Sequence, residues 1–208
     1  MSKPFLFVLA LAGAWYAWDQ HRGVHGAYND DGEPVTLLFT TGQCGDACDQ
    51  MRRYLKKRVE FEEHDAFDNS AGRELYLEYG GDGYLPYVVM GKQRVSGPDT
   101  GAIVSAMAAE LGPGSIRERE AQALALNFDK DGEPLVVMYA TEWCGYCTQA
   151  REYFTANDIP YVEYDIEKSS KAKRNFDVLK GSGTPLIYQG YTRVSGFHAR
   201  LVEDKFEL

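Results

Sequence analysis

The chain has 208 residues, of which 44% are hydrophobic and 13% aromatic, so it can fold into one large or two small packed domains and is not a disordered chain. Its net charge of −9 and its pI near 5.0, together with the absence of a Lys/Arg cluster, exclude a protein that binds the phosphate backbone of nucleic acids. These properties indicate an acidic globular protein.

The first element in the chain is an apolar stretch, FLFVLALAGAWYAW, at residues 5–18. As a helix it would span about 21 Å, which is short of the ~30 Å hydrocarbon core of a bilayer. This length and the small residues at 12–14 favour a secretory signal peptide, whereas the aromatic residues at its end suit an uncleaved anchor at the membrane interface. A buried helix is the third interpretation. We expect residues 1–20 to be a signal peptide or a membrane anchor, with the rest of the chain exported to the bacterial periplasm.

An internal repeat organises the remainder of the chain. Residues 31–41 (DGEPVTLLFTT) match residues 131–141 (DGEPLVVMYAT) at an offset of 100. Residues 85–99 (LPYVVMGKQRVSGPD) match residues 184–198 (TPLIYQGYTRVSGFH) at an offset of 99. Because two separated passages keep nearly the same offset, the chain contains two copies of one domain.

The two copies predict the same order of elements. We name residues 31–112 copy one and residues 129–208 copy two, and residues 113–128 read as a linker helix between them. In each copy a short apolar strand leads to two cysteines and a helix, then to a second strand and a second helix. A proline then opens a β-hairpin, and a last helix follows. The predicted order is β-α-β-α-β-β-α, which is an α/β fold.

The cysteines of copy two indicate redox chemistry. Cys144 and Cys147 form a Cys-x-x-Cys motif between a buried strand and a helix. The free N–H groups at the start of a helix favour a thiolate, so Cys144 is the candidate nucleophile and Cys147 the candidate resolving thiol. Trp143 and Tyr146 offer an aromatic surface for a substrate.

Copy two also resembles a known family. The motif Cys144-Gly145-Tyr146-Cys147, the Thr184-Pro185 pair and the order of elements together are similar to the glutaredoxin family of the thioredoxin fold. The resemblance implies two thioredoxin/glutaredoxin-like domains, each a four-stranded mixed sheet flanked by helices. It also implies that Pro185 is cis and faces the sulfurs, and that the backbone of Thr184 pairs with substrate.

Two positions depart from the family pattern. Many glutaredoxins carry a lysine shortly before the first cysteine, where this chain has Glu142 and Trp143, and a carboxylate there disfavours a thiolate. The Gly-Gly-x-Asp that follows the hairpin in the family is replaced by Ser-Gly-Phe-His at 195–198. We expect no bound cofactor, with glutathione or a partner dithiol protein as the co-substrate.

Copy one has diverged further. Cys44 and Cys48 are separated by three residues, so a disulfide requires Cys44 to lie in the loop before the helix. Asp46 adds negative charge, and Pro86 is kept. The pair is a second redox site, or else a static disulfide in a domain kept for substrate binding.

Alternatives remain for the cysteines and for the function as a whole. Four cysteines could form a zinc site, but only one pair has the usual spacing, and a purely structural disulfide at 144–147 would close too small a loop to add much stability. We therefore predict no metal site and a glutaredoxin-type thiol–disulfide oxidoreductase. Its partners would be protein thiols, protein disulfides or glutathione. The alternative is a peptide-binding or adaptor module with little turnover.

Overall fold

The structure is a computed structural model that describes residues 25–206. The predicted signal or anchor at residues 1–20 lies outside the described residues. Within 25–206, no helix is both long enough and apolar enough to cross a membrane.

Each copy contains seven elements in the predicted order. Copy one has β1 (Thr36–Thr40), α1 (Asp46–Leu55), β2 (Glu62–Asp65), α2 (Ser70–Glu78), β3 (Tyr87–Met90), β4 (Gln93–Ser96) and α3 (Thr100–Leu111). The linker contains a short 3-10 turn (Pro113–Ser115), α4 (Glu118–Leu124) and a second 3-10 turn (Ala125–Asn127). Copy two has β5 (Val136–Ala140), α5 (Gly145–Ala156), β6 (Tyr161–Asp165), α6 (Ser170–Val178), β7 (Leu186–Gln189), β8 (Thr192–Ser195) and α7 (Ala199–Lys205).

The strands form two separate four-stranded sheets. Their orders are β2-β1-β3-β4 and β6-β5-β7-β8. The first two strands of each copy are parallel, and the other neighbours are antiparallel. The prediction of two α/β domains, each with a mixed sheet flanked by helices, is confirmed.

The apolar periodicity of the sequence explains which helix faces are buried. In α1 the buried residues are Cys48, Met51 and Leu55, and in α5 they are Cys147, Ala150 and Phe154. This spacing places three side chains on one face of a helix, so the second cysteine of each pair points into the core. The helices that follow the second strands start at polar caps, since Asn69 and Ser169 each accept a backbone N–H at the beginning of α2 and α6.

One hydrophobic cluster contains residues of both copies, and each copy has a further cluster of its own. Helix α3 is buried along most of its length because it packs against β3 and β4 of copy one and also against β8 of copy two. The core cluster around it contains Leu38 and Met51 of copy one together with Tyr139 and Tyr188 of copy two. The sheet of copy two therefore lies against the helices of copy one.

An ion pair joins the two copies, and a second one joins copy one to the linker. Arg193 on β8 lies 3.4 Å from Asp99, the N-cap of α3. Arg58, just after α1, forms two hydrogen bonds with Glu120 of the linker helix α4, at 2.9 and 2.8 Å, and both side chains are buried. Ala27, which lies before the predicted start of copy one, forms an isolated antiparallel β-bridge with Gly91. The predicted domain boundaries stay predictions.

Candidate active site

Cys144 lies at the start of helix α5. It is the N-cap residue, and its Sγ accepts a hydrogen bond from the backbone N–H of Cys147 at 3.1 Å. Its carbonyl oxygen accepts the first N–H of the helix, from Thr148, at 3.1 Å. The sulfur therefore takes the place of the oxygen that usually caps a helix, and the N–H donated to it stabilises a negative charge there.

Cys144 and Cys147 form a disulfide with a Cα–Cα distance of 5.2 Å. Cys144 retains 5% of its exposure, whereas Cys147 has none. Of the two cysteines, Cys144 is therefore the one with a surface that solvent can reach.

The proline predicted to face the sulfurs lies directly before strand β7. The Thr184–Pro185 peptide bond is cis, and the carbonyl oxygen of Thr184 lies 3.3 Å from Cys144 Sγ. The N–H of Gly196, at the end of the hairpin, donates to the carbonyl of Pro185 at 2.8 Å and ties the two ends of the hairpin together. Cys144, Thr184 and Pro185 thus lie side by side.

Two aromatic side chains stand at the rim of this site. Trp143 is 75% exposed and Tyr146 is 61% exposed, so both present apolar surface to solvent beside Cys144. The indole N–H of Trp143 donates to both carboxylate oxygens of Glu167, at 3.0 Å each. The exposed indole is therefore held in one orientation. Glu167 is absent from the site predicted from the sequence.

The carboxylate of Glu142, which sequence reasoning identified as unfavourable for a thiolate, is paired. Lys168 Nζ lies 2.6 Å from Glu142, and this hydrogen bond holds the pKa of Glu142 below its ordinary value and raises the pKa of Lys168. The N–H groups of Lys168 and Glu167 donate to Asp165, which shapes the turn after β6. Because β5 and β6 are parallel, their carboxyl ends lie at the same edge of the sheet. Glu142 follows β5 and Lys168 follows β6, so strand pairing is the sequence signal that could have predicted their contact.

Arg151 is a further residue that the sequence did not single out. From α5 it donates to Glu163 on β6, at 2.7 to 3.2 Å, and to the carbonyl of Thr141, at 3.0 Å. Thr141 directly follows the strand that leads to the cysteines. Arg151 therefore links the loop between β5 and α5 to strand β6.

The pair in copy one has a different geometry. Cys44 and Cys48 also form a disulfide, with a Cα–Cα distance of 5.6 Å. Here the N-cap of α1 is Gly45, whose φ of 62° lies in the left-handed region that favours glycine. Cys44 therefore precedes the cap, and no side chain caps this helix.

A groove lies beside Cys44. It has a volume of about 400 Å³. Its lining residues are Thr41, Gln43, Cys44, Phe67, Asp68, Gly83 and Leu85. Leu85 precedes the cis Pro86, as Thr184 precedes Pro185. The exposed aromatic residues near it are Phe67, at 42%, and Tyr84, at 70%. They come from the loops after β2 and before β3, whereas the aromatic residues of copy two come from the cysteine motif itself.

No group of three or more His, Cys, Asp or Glu side chains among residues 25–206 is arranged to hold a metal ion. The exposed groups next to Cys144 are the two rim aromatics, and the carbonyl of Thr184 lies 3.3 Å from its Sγ.

Copy two is similar in sequence to known proteins. The family model for glutaredoxin matches residues 136–192. A candidate glutaredoxin of Mycobacterium tuberculosis strain H37Rv is 46% identical over 37 residues, which is 18% of this chain and 44% of that protein. Its counterpart in strain CDC 1551 / Oshkosh matches with the same figures. The chain thus spans less than half the length of these relatives.

Two solved structures cover about a third of the chain. One is a point mutant of a thioredoxin-like protein, with 24% identity and a TM-score of 0.32, covering 34% of this chain and 96% of that one. The other is a glutaredoxin from Archaeoglobus fulgidus, with 20% identity and a TM-score of 0.31, covering 35% of this chain and 86% of that one. The match to the glutaredoxin family model therefore covers residues 136–192, within copy two.

Proposed function

We propose that copy two is a thiol–disulfide oxidoreductase of glutaredoxin type. The observation that carries the proposal is the position of Cys144 Sγ, which caps a helix through the N–H of Cys147 and lies beside the residue before a cis proline. A sulfur in this position is stabilised as a thiolate when reduced, and in this proposal the neighbouring backbone of Thr184 pairs with an extended substrate.

The exchange has two steps. The thiolate of Cys144 attacks one sulfur of a substrate disulfide, forms a mixed disulfide with it and releases the other half of the substrate as a thiol. The thiolate of Cys147 then attacks Cys144 Sγ and releases the second half. Two electrons pass from the dithiol to the substrate, and the two protons end on the released thiols. A second dithiol, or two molecules of glutathione, restores the reduced pair.

The rim residues supply recognition in this proposal. Trp143 and Tyr146 give apolar surface on one side of Cys144, and Thr184 gives backbone groups on the other. We propose protein disulfides and glutathione mixed disulfides as substrates, with no bound cofactor. We further propose that the reaction takes place outside the cytosol, where disulfides persist.

Reduction of a glutathione–peptide mixed disulfide tests the proposal. Cys144→Ser removes the attacking sulfur, so we expect kcat/KM to fall by at least about 1,000-fold. The matched variant in copy one, Cys44→Ser with Cys48→Ser, should change kcat by less than about 3-fold, because it leaves the helix cap of copy two intact. Full activity of the Cys144→Ser protein would remove copy two as the catalyst.

A second function is favoured by the groove of copy one. Phe67 and Leu85 line it beside Cys44, and these two apolar side chains suit an extended peptide with an aliphatic or aromatic side chain. We propose that copy one binds the protein substrate while copy two reacts. The copy-one double variant should then raise KM for a protein substrate and leave KM for a glutathione–peptide disulfide unchanged.

A further inference from the structure

The two cysteine pairs differ in how each helix meets its first sulfur. In copy two the cap is Cys144 itself, and the N–H of Cys147 donates to its Sγ. In copy one the cap is Gly45, and Cys44 lies one residue outside the helix, with no side-chain cap hydrogen bond. Only the first arrangement lowers the free energy of a thiolate by a charge-assisted hydrogen bond.

The charges near the two cysteine pairs also favour a thiolate at Cys144 over one at Cys44. The first turn of α1 contains Asp46 and Asp49, whereas the first turn of α5 contains no acidic residue. Asp49 forms an ion pair with Arg52, but Asp46 is exposed and stands two residues from Cys44. A carboxylate close to a thiolate raises the free energy of that thiolate.

The acidic residue of copy two that stands at a spacing from the first cysteine like that of Asp46 is paired with a lysine, which also lies 3.7 Å from Asp165. Glu142 precedes Cys144 by two residues, and Lys168 lies 2.6 Å from it, so the pair carries no net charge. The carbonyl of Thr184, 3.3 Å from Cys144 Sγ, acts in the opposite direction because it would accept a hydrogen bond from a protonated thiol. We expect the helix N–H donors to outweigh this one neutral acceptor, since a hydrogen bond to a charged group is the stronger kind.

We propose that Cys44–Cys48 is the pair that is harder to reduce, so that the half-reduced protein carries a disulfide in copy one and a dithiol in copy two. A stabilised thiolate lowers the free energy of the reduced form, which makes Cys144–Cys147 the first pair to accept electrons. Each reduction consumes two molecules of glutathione and yields the dithiol and one glutathione disulfide, so electrons and protons balance. This inference rests on the proposed function and deepens it by assigning copy one to the oxidised state while copy two reacts.

A titration with a buffer of reduced and oxidised glutathione tests the order. The full chain is equilibrated at a series of ratios and quenched with acid, its free thiols are alkylated, and the modified cysteines are located by peptide mass mapping. In the species with two alkylated cysteines, we expect the label on Cys144 and Cys147 at least about 10 times as often as on Cys44 and Cys48. Equal labelling, or label mainly on Cys44 and Cys48, would overturn the proposal.

Two variants test the physical cause. Asp46→Asn removes the negative charge near Cys44, and Lys168→Met leaves the negative charge of Glu142 without its partner. Each variant should lower the ratio of labelling at Cys144 and Cys147 to labelling at Cys44 and Cys48 by roughly 2- to 5-fold. The control Lys130→Met changes an exposed lysine in the turn before β5 and should leave the ratio unchanged. If neither Asp46→Asn nor Lys168→Met narrows the ratio, the electrostatic origin is wrong.

The equilibrium measurement is separate from turnover. A protein that shows the expected order of reduction but no loss of exchange activity with Cys144→Ser would refute the proposed function alone. A protein that loses activity with Cys144→Ser but is labelled equally at both pairs would refute only this inference.

Discussion

Glu167 sets the orientation of Trp143, the largest exposed side chain of the site. Trp143 is 75% exposed, and an unrestrained indole in water would populate several rotamers. The two contacts of its N–H with Glu167, at 3.0 Å each, select one of them before substrate arrives. The equivalent residues in copy one are Gln43 and Phe67, which cannot form this pair. Glu167 is therefore a positioning residue of copy two alone.

Removing this acceptor should weaken binding without slowing the chemistry. We expect Glu167→Ala to raise KM for a peptide mixed disulfide by roughly 2- to 10-fold, the range for one exposed hydrogen bond, with kcat unchanged. Steady-state kinetics on the reduced protein measures both constants. Glu167→Gln keeps one carbonyl acceptor and should lie close to the wild type. A fall in kcat with KM unchanged would show that Glu167 acts on the sulfur and not on Trp143.

The sequence predicted the residues of the site better than the partners that orient them. Cys144 and Cys147 were found from a local motif, and Pro185 from a repeat that keeps its spacing. Glu167 and Lys168 were missed because they come from another loop, and their contacts depend on how β6 lies beside β5. Such partners follow from strand pairing, which no short motif encodes.

Helix α3 shows how an element can be shaped by two neighbours at once. Gly101, in its first turn, is buried between the copies, and a Cβ atom there would lie 2.6 Å from the carbonyl oxygen of Leu179 and 2.8 Å from Cζ of Arg193. Both groups belong to copy two. The carbonyl is backbone, and Arg193 is held by its own hydrogen bonds to Leu179 and Tyr188, so neither can retreat easily.

A methyl group at this position should separate the copies locally. Helix propensity alone would favour alanine by up to ~1 kcal/mol, but overpacking of a buried contact costs about 1–3 kcal/mol, so we expect Gly101→Ala to destabilise the protein. Urea unfolding measures the free energy. Gly114→Ala is the matched control, because a Cβ atom there meets nothing within 4 Å. If Gly101→Ala is as stable as this control, the close approach of α3 to copy two is wrong.

At the scale of the whole molecule, the repeat predicted two similar domains but not their stacking. One signal was present, since α3 carries apolar or small residues around its whole circumference, which indicates a helix buried on all sides. The choice of partner was not readable, because the contacts of Arg193 with Asp99 and of Arg58 with Glu120 join positions far apart in the chain. The first contact exists only once both copies are folded, and the second only once the linker helix packs against copy one.

The buried pair of Arg58 and Glu120 should make the packing of the linker helix α4 against copy one dependent on pH. Burial alone would raise the pKa of Glu120, but hydrogen bonds from Arg58 and from the N–H of Arg117 outweigh it and hold the pKa below its ordinary value of 4.5. A lowered pKa in the folded state means that the carboxylate stabilises the protein above the unfolded pKa, and that this contribution is lost as pH falls through the folded pKa.

Glu120→Gln removes the charge and leaves Arg58 buried beside a neutral amide. We expect it to lower the free energy of unfolding by about 3–5 kcal/mol at pH 7, and the difference from wild type to shrink as pH falls below about 4.5. Glu118→Gln, on the exposed side of the same helix, should stay within about 0.5 kcal/mol of wild type throughout. Urea unfolding between pH 3 and pH 7 measures both variants. A difference that stays constant over this range would mean that the shape of Glu120, and not its charge, holds α4 against copy one.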